Sequence, residues 1–220
     1  MTIAFAESSQ QADTSTTFTH SQTISDGNLL VLQQNQNGDA SVISLPTGGA
    51  TWLQAYEGIG HASETHRMAV FYKVASSEPS TYTIDPNGNQ NTTHLLRFTG
   101  TFDTDPIDST NAFTTGSGNI INAATITIVD NAVAVTLVGG DSSTGALNTI
   151  DDSYIVAETT ANRVTGSGYR IYVAGAGATG TIAHNMSRDI LWAINHVSFK
   201  ESAGGGATDE HFLMTLGVGQ

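Results

Sequence analysis

Residues 124–138 read Ala-Thr-Ile-Thr-Ile-Val-Asp-Asn-Ala-Val-Ala-Val-Thr-Leu-Val. Two β-branched runs, 125–129 and 132–138, flank Asp130-Asn131, residue types that tolerate the left-handed backbone of a two-residue hairpin. The stretch predicts two antiparallel strands, and the same period of two recurs outward in both directions. Residues 16–24 alternate around Phe18 and His20, and residues 29–34 follow an Asp26-Gly27 turn. Trp52, Gln54 and Tyr56 read as one face of a strand, and residues 66–74 are continuously apolar enough for a central one. Tyr82 and Ile84 form a short strand before Asp85-Pro86-Asn87-Gly88, whose residue types favour a turn. In residues 95–102, Leu96 and Phe98 share a face, and Gly100 on that face marks a bulge or a close backbone approach. Strands at 153–158, 169–174 and 190–199 complete about eleven to thirteen, a sandwich or barrel spacing. No window pairs a capping box with an i, i+3, i+4 apolar stripe, so helices are not expected.

Composition agrees with an all-β fold. Charged residues are 12% of the 220-residue chain, and Ser, Thr, Asn and Gly replace them, about half the usual charged share. The size suits one β-sandwich domain over 1–201. Residues 202–220 read as a Gly-rich connector, through Gly204-Gly205-Gly206, followed by an apolar tail. His211, Phe212, Leu213, Met214 and Leu216 in that tail make either a last strand or an arm laid on a neighbouring subunit's sheet edge. Long connections are expected at 35–49, 103–119 and 139–152.

The net charge of −13, with 7 Lys and Arg, argues against nucleic-acid partners, which need clustered cations, and against an anionic membrane surface. No apolar run approaches the roughly 18 residues of a membrane span. The absence of cysteine removes disulfides, thiol catalysis and cysteine-ligated zinc. The start lacks the basic and apolar regions of a signal peptide, so none is expected.

The strand motifs also have a likeness. Ile3-Ala-Phe5, Thr17-Phe-Thr-His20 and Gly27-Asn-Leu-Leu-Val31 open the pattern. Trp52, Tyr56, Arg67-Met-Ala-Val-Phe-Tyr-Lys-Val74, Glu78-Pro-Ser-Thr-Tyr82, His94-Leu-Leu-Arg-Phe98 and Pro106-Ile-Asp108 continue it. Trp192 and Val197-Ser-Phe-Lys200 close it. This layout resembles jelly-roll-like β-sandwich modules of bacteriophage virion proteins and of some bacterial surface proteins, over residues 2–200. The resemblance implies a non-enzymatic virion protein assembled in the host cytoplasm. Its expected role is capsid decoration or cement, as a homo-oligomer on the major capsid protein. The alternative is a tail or fibre module binding a receptor or a host-surface glycan.

Several clusters of side chains carry potential chemistry. Glu57, His61, Glu64 and His66 could supply zinc ligands, and Asp103, Asp105 and Asp108, with Asn111, could supply part of a calcium shell. Asp85 with Asn87, Asn89 and Asn91, and the pair Asp151 and Asp152, are further oxygen clusters. The EF-hand spacing fails at Ile107 and Asp108, and Asp and Asn are ordinary turn formers, so no metal or other cofactor is expected. Gly116-Ser117-Gly118 and Gly166-Ser167-Gly168 do not fit a nucleophile elbow. No residue set takes named catalytic roles, so no enzyme activity is expected. Trp52 and Tyr56 are the candidate sugar platform, set against core burial of Trp52.

Overall fold

A computed structural model describes residues 3–38, 41–59, 66–85, 90–141, 147–150, 154–160 and 165–202; the apolar tail, with His211, Phe212, Leu213, Met214 and Leu216, lies outside them. The described residues hold strands and no helix. In chain order they are β1 (Ala4–Gln11), β2 (Thr17–Thr19), β3 (Leu29–Asn37), β4 (Leu53–Ile59), β5 (His66–Val74), β6 (Thr81–Thr83), β7 (Gln90–Thr99) and β8 (Ile107–Ala123). Then come β9 (Thr127–Ile128), β10 (Ala132–Gly140), β11 (Leu147–Ile150), β12 (Ile155–Thr160), β13 (Thr165–Tyr172), β14 (Gly177–Ala178) and β15 (Ile182–Lys200).

Two antiparallel sheets pack face to face. One has the order β1-β7-β3-β5-β4, and the other runs β12-β13-β10-β15, with β8 and β11 also on β15. Leu29, Val31, Val70, Leu96 and Phe98 of the first sheet meet Val133, Val135, Leu137, Val197 and Phe199 of the second in one apolar core. Burial of such side chains is worth about 1.5–3 kcal/mol each.

The outer faces are covered too. Phe18, Ile43, Trp52, Tyr82 and Ile84 lie over Leu30, Leu32, Phe71 and Leu95. On the other sheet Ile121, Ile126, Ile128, Leu147 and Tyr154 lie over Ala134, Val138 and Ile194. This is why β5 and β10 are almost continuously buried rather than alternating: a strand with two dry faces needs apolar residues at every position.

Three expectations are corrected. The 124–138 hairpin does not form: Asn131 does take a left-handed φ of 55°, but β9 pairs β14, while β10 pairs β13 and β15. Ile126 and Ile128 thereby become a lid on the outer face. The connection at 103–119 is mostly β8, a 17-residue strand running along β15. Its Thr, Ser, Gly and Asn residues give no apolar signal, because as an edge strand it has little to bury.

The jelly-roll connectivity is also not what the chain takes. Residues 4–99 supply the whole first sheet and 107–200 the whole second, so the chain crosses between sheets once. A jelly roll, two Greek keys folded over each other, crosses repeatedly.

Candidate functional site

Trp52 and Tyr56 do not share a face. Leu53 and Gln54 pair with Tyr72 and Phe71, but Tyr56 pairs with Val70, so Ala55 is an extra residue in β4. A one-residue bulge flips every side chain beyond it. Trp52 points outward, 2% exposed, into the cluster under the 41–52 segment. Tyr56 points between the sheets and stacks on Phe113 of β8 with centroids 3.8 Å apart. The pair therefore makes no exposed aromatic platform.

Trp52 instead belongs to a buried charged knot. Lys73, 1% exposed, lies 2.5 Å from Glu78 and donates to the carbonyls of Gly48 (2.8 Å) and Ala50 (3.3 Å). Its ammonium sits 4.2 Å from the Trp52 ring centroid and 4.4 Å from that of Tyr82. Glu78 accepts from the Tyr82 hydroxyl and the Ala50 and Ser76 amides. Burial lowers the Lys73 pKa, opposed by Glu78, and the Tyr82 pKa is raised by burial and then by Glu78. A Cβ on Gly49, whose φ is +66°, would fall 2.2 Å from the Glu78 carboxylate. The 48–50 segment wraps the ion pair only because glycine stands there. The signal in the sequence is a lysine inside an apolar strand, since a buried cation requires a partner.

The candidate metal ligands are spent elsewhere. Asp105 accepts from the Tyr72 hydroxyl (2.7 Å), and Asp108 from the Val129 amide (3.0 Å) and Ser198 hydroxyl (3.3 Å); Asp103 is exposed. Glu57 forms a two-point ion pair with Arg67, while His66 is turned inward onto Asn35. The main-chain carbonyl of Asp85 accepts from Gln34 and Gln36. Among the described residues no group of three His, Asp or Glu converges as ligands. His61, Glu64, Asn87, Asn89, Asp151 and Asp152 lie outside them.

The five histidines among the described residues, His20, His66, His94, His184 and His196, are all buried. His196 Nδ1 donates to the Ala124 carbonyl and Nε2 meets the Tyr154 hydroxyl, both at 2.8 Å. His184 Nδ1 faces the Ile182 carbonyl and Nε2 the Thr136 hydroxyl. Burial pulls both to about 4 and His94 to about 3.

A cleft opens where β15 is interrupted. Asn185 pairs with Ile120 and Ile190 with Gly118, so residues 186–189 bulge opposite Asn119 alone. The other edge of β15 changes partner at the same place, from β10 (Gly140 on Trp192) to β11 (Leu147 on Met186). The resulting space is about 630 Å³ and is lined by Ser117, Gly118, Asp141, Arg188, Asp189, Ile190 and Leu191. Asp141 is fixed there, its amide donating to the Leu191 carbonyl (3.0 Å) and its carboxylate accepting from the Leu191 amide (3.2 Å). No sequence pattern announces this cleft, because it arises from register.

No protein-family model matches the chain, and no curated protein or solved structure matches it.

Proposed function

We propose that this chain is a non-enzymatic structural protein of a bacteriophage particle, a decoration or cement protein that covers or stabilises the capsid through contacts between copies and with the major capsid protein. The observation that carries the reading is the distribution of apolar surface. Both faces of both sheets are covered from within the chain. Of the seven exposed large apolar side chains among the described residues, Val42, Leu45, Val129 and Val173 lie in connections, and three are isoleucines on edge strands: Ile59 of β4, Ile120 of β8 and Ile155 of β12. Such side chains suit lateral contacts between copies. The placement of reactive groups supports it further, since the described histidines and the Lys73–Glu78 pair serve internal packing. The −13 charge favours solubility at high local concentration.

Sedimentation velocity tests the reading. The full chain is expected to sediment as an oligomer, and Ile59→Lys, Ile120→Lys and Ile155→Lys together should shift it to monomer with an unchanged circular dichroism spectrum. A wild-type chain that stays monomeric at high micromolar concentration would overturn assembly through these edges.

A further inference from the structure

The interruption of β15 keeps Met186 in the outer-face core but takes Ser187, Arg188 and Asp189 out of it. The excursion takes residues 187–189 out of both ladders of β15, and such bulges recur beside functional sites, where they re-aim side chains. Here the excursion turns Ser187, Arg188 and Asp189 to solvent while Met186 and Ile190 on either side stay buried. The cleft is thus a shallow opening beside β15, lined by buried Ile190 and by the charged side chains of Asp141, Arg188 and Asp189.

The rim chemistry restricts the occupant. Asp141 and Asp189 repel an anion such as phosphate, whose binding calls for clustered cations. Arg188 opposes a metal ion, and two carboxylates fall short of the six to eight oxygens a calcium ion takes. Carboxylate acceptors, a guanidinium donor and the Ser117 hydroxyl together match vicinal hydroxyl groups, each both donor and acceptor. Gly118, with a φ of +119° and no heavy atom within 4 Å of an added Cβ, leaves the β8 wall open to a ring. We propose that this cleft binds a neutral, hydroxyl-rich ligand, a carbohydrate, held by Arg188, Asp189, Asp141 and Ser117. The proposal is independent of assembly, and either can fail without the other.

Titration of the ¹⁵N-labelled full chain with glucose, galactose, N-acetylglucosamine and maltose tests it, with inorganic phosphate and calcium as charged controls. At least one sugar should shift the amides of Ser117, Gly118, Asp141 and residues 188–191 saturably, in the millimolar range or tighter. The double substitution Arg188→Ala, Asp189→Asn removes exposed side chains that pack no core. It should weaken binding roughly tenfold or more while leaving the rest of the spectrum in place. Unmoved cleft amides with every sugar, equal binding by the double variant, or a response to phosphate or calcium instead would each overturn the proposal.

Discussion

At the scale of single residues, Lys73 is a buried cation held under two aromatic rings with Glu78 as its counter-charge. Removing one partner of a buried pair strands the other, at about 3–5 kcal/mol. Lys73→Met or Glu78→Gln should each lower the denaturant midpoint by that order. The double variant should recover much of the loss, which a double-mutant cycle measures. The histidines set the response to acid. His94, His184 and His196 are neutral in the fold, with pKa values of about 3, 4 and 4 against 6.5 when unfolded. The unfolded chain therefore takes up protons first. Stability is full above pH 6.5 and falls as pH drops from 6.5 toward 4, by about 1 kcal/mol per histidine per pH unit. Melting temperature measured from pH 7.5 to 4.5 should decline over that window, and a flat profile there would count against neutral burial. Lys73 carried a signal in the sequence, a charge inside an apolar strand, that the strand reading passed over. The histidines carried none, because nothing local distinguishes a buried ring from a solvated one.

At the scale of elements, register separates the interior of each sheet from its rim. The β3–β5, β3–β7, β10–β13 and β10–β15 ladders run without a shift. The edge strands β1, β4 and β12 each carry one extra residue, Ala6, Ala55 and Ala157 respectively. Bulged edges resist pairing with foreign strands, so the contacts proposed for Ile59 and Ile155 are expected through side chains. Deleting Ala55 would leave Leu53 opposite Tyr72, Gln54 opposite Phe71 and Tyr56 opposite Val70 in one uninterrupted ladder, so the variant should keep cooperative unfolding as followed by near-UV circular dichroism. Gly116 makes a second test: a Cβ there would lie 2.5 Å from the Trp192 ring, so Gly116→Val should cost about 1–3 kcal/mol by overpacking. The bounds of β5 and the apolar character of β10 were legible because burial on both faces writes itself into composition. The bulges were not, since one alanine more or less leaves alternation nearly unchanged, and that is why Trp52 and Tyr56 read as neighbours on one face.

At the scale of the molecule, the all-β class was legible from period-two patterning and turn residues, while the connectivity was not. Local alternation carries no record of which strands pair, so β9 looked like a hairpin partner of β10, and the jelly-roll connectivity rested on the resemblance alone. The described fold ends with β15 and the Ser202 amide bonded to the Thr101 carbonyl. A chain ending at Ser202 should keep its circular dichroism spectrum and lose assembly if residues 211–216 act as an arm; normal assembly of that chain would sink the arm. The central claim concerns where the protein resides. Immunogold electron microscopy of purified phage particles, with antibody raised against this chain, tests it most directly. The account predicts label spread over the heads, and label confined to tail or fibre tips, or particles without label, would contradict it.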